Sequence, residues 1–224
     1  MSQQKWEGLI QKLIRSGILR SNKVIRALRQ VPREPFLPEN VKANAAIDCP
    51  LPIGSGQTAS APHMVSIMDE ALELEVGHKV LEVGGGSGWH AATIAEIVAP
   101  SDAPKEEWGH VYTIERISEL ASFANENLTK TGYGDRVTVI HQDGTLGHPE
   151  EAPYDRILVA AAGPEVPKPL VEQLEKSGIL LVPVGGAQFY QTLVRVRKMD
   201  GKTVEENLGG VAFVPLIGKH GFEP

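Results

Sequence analysis

Residues Leu9, Ile10, Leu13 and Ile14, then Ile18, Leu19, Val24, Ile25 and Leu28, recur at helical intervals among basic and polar positions. That spacing predicts two packing helices with a break between Gly17 and Asn22. Ser21 stands as the N-cap of the second helix, which ends ahead of Val31-Pro32. Pro32, Pro35, Pro38, Pro50 and Pro52 then discourage helix and favour extended chain. Helical periodicity resumes at Val65, Ile67, Met68, Ala71 and Leu72 and closes near Val76-Gly77.

Beyond that point short apolar runs alternate with longer amphipathic ones. Strands are predicted at 79–83, 110–115, 137–142, 154–161 and 178–184, and helices at 89–99, 117–130 and 167–176. Such βαβ repetition implies a mostly parallel twisted sheet with helices on both faces. The hydrophilic stretch 100–109 reads as a surface loop. Near the end, 189–198 and 204–217 are strand-like and are joined through Met199-Asp200-Gly201-Lys202, an antiparallel hairpin signal.

Composition narrows the class. A chain of 224 residues, 42% hydrophobic and 22% charged, supports one sizeable core. We read a single domain: a helical and proline-rich extension at 1–50, a ligand-binding core at 51–186 and a hairpin with cap at 187–224. No apolar run approaches the roughly 20 residues of a membrane span, and charges occupy the place where a leader needs an apolar centre. A cytoplasmic location is therefore expected. The formal charge of −6 argues against a nucleic-acid surface, so a small or peptidic partner is expected. Cys49 is the sole cysteine and the seven histidines are scattered, so neither a disulfide nor a metal site is expected. A monomer is expected.

The chemistry concentrates at Val80-Leu81-Glu82-Val83-Gly84-Gly85-Gly86-Ser87-Gly88, an apolar strand entering a glycine turn before a helix. A helix start presents unpaired N–H groups to a ligand. Gly84, Gly86 and Gly88 form G-x-G-x-G, not the G-x-G-x-x-G of a dinucleotide clamp. Glu82 would repel a pyrophosphate but suits a ligand carrying an ammonium and a sulfonium, as S-adenosylmethionine does. Glu115 and Asp143-Gly144 close the next two predicted strands, where open α/β sheets bind ligands. A carboxylate at the first can accept both ribose hydroxyls; the second can meet the adenine amino group and a ring nitrogen. The glycine loop alone permits a methyltransferase acting on RNA or a small molecule, or a binding module without turnover.

The segments PLPIGSGQTASAPHMV, VLEVGGGSGWHAA, the acid-ended strand at Glu115, the Gln142-Asp143-Gly144 turn and APYDRILVAAAGPEVPKPLVEQLEKSGILLVPVG closely resemble the protein-L-isoaspartate O-methyltransferases. The resemblance spans nearly the whole chain, and the segment from Ile53 to Met64 is its specific part. It implies a Rossmann-like class I S-adenosylmethionine-dependent fold with an N-terminal helical extension. It further implies methyl transfer to the α-carboxylate of L-isoaspartyl residues in damaged proteins and peptides, leaving S-adenosylhomocysteine. By motif, Ser60 matches the active-site serine, and Thr58 would line the same loop. Ile53, Gly54, Ser55, Gly56, Ser60, His63, Glu82, Glu115, Asp143 and Gly144 match cofactor-binding positions, joined by Gly84, Gly86 and Gly88 of the turn. The segment 214–219 resembles the family's closing strand and cap.

Overall fold

A computed structural model describes residues 3–187, 190–199 and 201–223. Helices α1 (Gln3–Arg15) and α2 (Asn22–Gln30) open the chain, followed by the hairpin β1 (Leu51–Gly54) and β2 (Gln57–Ala59) and helix α3 (Pro62–Leu72). Then come β3 (Lys79–Val83), α4 (Trp89–Val98), β4 (His110–Glu115), α5 (Ser118–Lys130), β5 (Val137–His141), β6 (Tyr154–Val159) and α6 (Lys168–Glu172). Strands β7 (Leu174–Gly185), β8 (Gln191–Met199) and β9 (Lys202–Val211) complete a sheet in the order β5-β4-β3-β6-β7-β8-β9. Strands β3 to β7 pair in parallel; β8 and β9 add antiparallel. The chain order reverses between β3 and β6, which is where such sheets bind ligands.

Alternation along the central strands feeds two cores. Val80, Leu158, Ile179 and Leu181 face the layer built by the helices, with Trp6, Leu28, Met68, Trp89 and Leu128. Leu81, Val83, Ile157, Val159, Leu180 and Val182 face the other side, where α6 supplies Leu170 and the C-terminal segment supplies Leu216. No helix among the described residues is long and apolar enough to cross a membrane.

Several boundaries differ from the sequence pattern. Ser21 precedes α2, but its hydroxyl caps nothing; the Glu70 carboxylate accepts from the backbone N–H groups of Arg20 and Ser21, both at 2.8 Å. Helix α3 starts early, with Pro62 in its first turn, and stops at Leu72 because Glu73 turns left-handed at φ 52°. Helix α6 ends at Glu172, short of the predicted 176, because Gln173 is drawn out of it. The Gln173 carbonyl accepts from Tyr154 N–H, while its side chain bonds Leu146 O and His148 N. Strand β9 stops at Val211, and the Gln191 amide then fixes Phe213 through both its N–H and its carbonyl. The start of the predicted 189–198 strand and Asp200 of the Asp-Gly turn lie outside the described residues, but Met199 pairs Lys202 across that turn. The loop 100–109 folds on itself: Trp108 Nε1–H donates to Pro100 O and Ala103 O, and Arg136 covers its ring.

Arg33 fastens the proline-rich segment to this body. It is fully buried and donates to the carbonyls of Cys49 (3.0 Å) and Ala59 (2.8 Å), with its guanidinium 5.2 Å from the Trp89 ring centroid. Among the described residues no carboxylate bonds it, and burial pushes its pKa down to about 10. Replacing it removes the donor that these carbonyls receive from Arg33. Arg33→Met is expected to cost about 3 kcal/mol of stability, read as a lower urea midpoint at unchanged m-value.

Candidate active site

The glycine turn occupies the reversal point between β3 and β6, and its three alternate glycines are required by conformation. Gly84, Gly86 and Gly88 take φ of 95°, 54° and 82°, where a side chain is strained. Gly85 is required by contact instead: a Cβ there would lie 2.5 Å from Thr113 Oγ1. The turn is tied to the sheet by Gly84 N–H and Gly85 N–H donating to Ile114 O, and by Gly86 N–H donating to Glu115 Oε2 at 3.0 Å. The other Glu115 oxygen accepts from Ile117 N–H at 2.9 Å.

Glu82, two residues before the turn, is fully buried; its Oε2 accepts from Thr113 Oγ1 at 2.5 Å and its Oε1 has no partner. Burial pushes its pKa up to about 7, against the pull of His90 and Thr113. Asp143 ends the next strand turn. Its Oδ1 accepts from the backbone N–H and hydroxyl of Thr145, and its Oδ2 from Lys219 N–H at 2.9 Å. Burial pushes this carboxyl up, but those donors outweigh it and leave the pKa below the usual range. Gly144 packs on Val83, whose Cγ1 would lie 2.4 Å from an added Cβ.

Three clefts that share lining residues lie around the turn, and Asp143 itself is not among the residues that line them. The first, of about 570 Å³, runs from Gly84 and Gly86 past Glu115, Ile117 and Gly144, and is roofed by Ile53, Thr58 and Val214 to Ile217. The second, of about 380 Å³, lies under Thr58 and Ser60, with Glu82, Gly85, Ser87 and His90 as its floor. The third is an outer groove between the α3 start and the β8–β9 edge, lined by Pro50, His63, Met64, Tyr190 and Phe213. Thr58, Ser60 and Ala160 wall both the second cleft and the groove.

The sequence-predicted residues therefore divide. Ile53, Glu82, Gly84, Gly86, Glu115 and Gly144 line the inner clefts, with Thr58 and Ser60 at the junction. Gly54, Ser55 and Gly56 form the exposed tip of the β1–β2 hairpin; Ser55 and Gly56, both at positive φ, are its two-residue turn. His63 faces the outer groove, and its Nδ1 and backbone N both meet Asp48 Oδ1 at 2.9 Å. Gly88 caps α4, and the N-cap of α3 is Ala61, not Ser60, so Ser60 is not held by a capping role. Sequence reasoning missed Asp48, Asp69, Gly85, His90 and Thr113. The second glycine of the run and a lone histidine in an apolar helix were the available signals. Among the described residues no cluster of His, Cys, Asp and Glu could hold a metal.

The family model for protein-L-isoaspartate(D-aspartate) O-methyltransferase matches residues 4–221. The chain belongs to this family. A protein-L-isoaspartate O-methyltransferase from Hyperthermus butylicus is 54% identical over 96% of this chain and 89% of its own length. One from Staphylothermus marinus is 55% identical over 96% and 95%. Among solved structures, one from Plasmodium falciparum assigned to the same enzyme, in complex with S-adenosyl-L-homocysteine, superimposes with a TM-score of 0.83 at 28% identity, covering 95% of this chain and 98% of that one. The mostly parallel sheet closed by an antiparallel hairpin is the methyltransferase fold expected from the sequence.

For a protein-L-isoaspartate O-methyltransferase fold, the Gly85–Thr113 contact is a strict test of how the turn is seated. Gly85→Ala is expected to cost about 2 kcal/mol, since the added methyl must displace Thr113. Thermal unfolding followed by calorimetry checks this, with a lowered Tm as the expected outcome.

Proposed function

We propose that the inner clefts hold S-adenosylmethionine and that the outer groove presents an L-isoaspartyl residue of a damaged protein or peptide, whose α-carboxylate is methylated. The observation that carries this reading is the position of Ser60 and Thr58, which wall both the inner cleft and the groove. Membership of the family supports the reaction. The fit to the cofactor rests on the glycine cradle, on Glu115 beside it, and on the buried, unpartnered Glu82 Oε1 awaiting a donor.

When bound, S-adenosylmethionine supplies a methyl group activated by its sulfonium. Glu82 receives the ammonium end. Glu115 accepts the ribose hydroxyls with the lone pairs that Gly86 and Ile117 leave free, and Gly144 places backbone near the base. The acceptor carboxylate, with an ordinary pKa near ~4, is already ionised at neutral pH and needs no general base. Ser60 then acts as an orienter. A hydrogen bond to the attacking oxygen would weaken it, so its hydroxyl holds the carboxylate's other oxygen. The β1–β2 hairpin and residues 214–217 roof the cleft and exclude water, which stabilises the charged reactants more than the neutral products. Action as a single-domain monomer is part of this proposal.

The deciding experiment supplies methyl-labelled S-adenosylmethionine with an isoaspartyl peptide and with its aspartyl twin. Base-labile label on the first alone is expected, and absence of label on both would sink the reading. Ser60→Ala is expected to lower kcat about tenfold or more with little change in S-adenosylhomocysteine affinity by calorimetry. Glu115→Ala is expected to weaken that affinity about tenfold to a hundredfold, as loss of charge-assisted hydrogen bonds requires. Asp143→Ala is expected to follow Glu115→Ala and also to release residues 218–220, because it removes the acceptor of Lys219 N–H.

A further inference from the structure

Three titratable side chains meet beneath the glycine turn, and the reaction described above uses only one of them. Asp69 comes from α3, Glu82 from β3 and His90 from α4; their exposures are 1%, 0% and 7%. His90 Nε2 lies 3.0 Å from Asp69 Oδ1, and His90 Nδ1 lies 3.9 Å from Glu82 Oε1. Those last two atoms have no hydrogen-bond partner, and both residues floor the same cleft. Burying three ionisable groups for packing alone is unfavourable compared with apolar residues of similar size.

With Asp69 ionised, its carboxylate accepts from His90 Nε2–H, and the Nδ1 edge then faces Glu82. Two lone pairs facing each other across 3.9 Å would repel, whereas a proton on Nδ1 makes the contact attractive. With His90 protonated and both acids ionised, the cluster carries two carboxylates against one imidazolium, a net charge of one negative. That matches a cofactor whose ammonium, sulfonium and carboxylate sum to one positive.

We infer that His90, anchored by Asp69, is a positioning residue that keeps Glu82 an ionised acceptor for the ammonium group of the cofactor. The inference rests on the reading of this cleft as the cofactor site. Burial alone would push His90 down, but Asp69 and Glu82 outweigh it and hold the imidazole above its usual range. Glu82 is faced by His90 from α4, by Thr113 and Glu115 from β4 and by Asp69 from α3. Burial raises Asp69, opposed by His90 and Thr93, with Glu70 adding to the rise. Among the described residues, His90 is the cation that acts most strongly on Glu82. Removing it moves protonation of Glu82 to higher pH, so affinity for an ammonium ligand is lost earlier as pH falls.

The test is calorimetric binding of S-adenosylmethionine and S-adenosylhomocysteine to the full chain between about pH 6 and 8, where histidine titrates. His90→Gln retains a donor for Asp69 but carries no charge. Its affinity at about pH 7 is expected to fall about tenfold and to recover towards pH 8, with kcat at saturating cofactor within about twofold of wild type. Asp69→Asn, which lowers the basicity of His90 and leaves the ring in place, is expected to shift the profile in the same direction by less. An equal loss at every pH, or a wild-type profile in both variants, overturns the inference while leaving the cofactor reading intact. A wild-type chain that binds neither ligand at any pH overturns the cofactor reading and this inference together.

Discussion

The carboxylate of Glu115 is the point on which the site depends. One oxygen accepts from Gly86 in the turn after β3 and the other from Ile117 at the entry to α5, so a single side chain ties the ends of two adjacent strands together. Without it, Gly86 N–H and Ile117 N–H lose their acceptors, and the turn is left tied to the sheet by Gly84 and Gly85. The same two bonds aim the carboxylate at the cleft it lines. Its structural and ligand-facing roles are therefore one geometry, and the glycines beside it take positive φ without strain.

A second principle runs through the helical layer: charge is buried where the backbone needs anchoring. Arg33 reaches through the core to carbonyls of the segment leading to Ser60, and Arg136 joins Glu96, Ala99 and Ser101 behind the loop that follows α4. Each is a side chain spanning elements far apart in sequence. Unlike apolar contacts, these bonds fix direction, so the β1–β2 hairpin sits over the sheet in one register relative to the glycine turn. The outer groove inherits its shape from that registration.

Much of this was legible in the sequence, because the central strands are short apolar runs and the turn between them is rich in glycine. The ends of β3 and β4, and with them Glu82 and Glu115, followed directly from pattern. What pattern could not show were bonds made at a distance. Helix α6 looked longer because its periodicity continues past Glu172, and only the carbonyl and side chain of Gln173, engaged with residues around 146–154, break it. Ser21 has the right residue type for a cap, yet its hydroxyl caps nothing, and Glu70 from another helix instead accepts from its backbone N–H. Asp69 and His90 each resemble an isolated polar residue in an apolar helix, and their pairing appears only when α3 and α4 are packed. The pattern points Asp143 at a ligand, whereas the fold also uses its lone pairs to hold Thr145 and Lys219.

The four glycines of the turn also differ in how freely the sequence can drift around them. Three answer to backbone dihedral angles, which no change elsewhere can relax. Gly85 answers to a neighbour, Thr113 Oγ1, and a neighbour can be trimmed. Yet that hydroxyl is the donor to Glu82, so trimming it strips a buried carboxylate of its partner. Positions 82, 85 and 113 thus form a closed set of mutual obligations across two strands and a turn: a viable exchange at one requires exchanges at the others, and intermediates on the way carry either a clash or an orphaned charge.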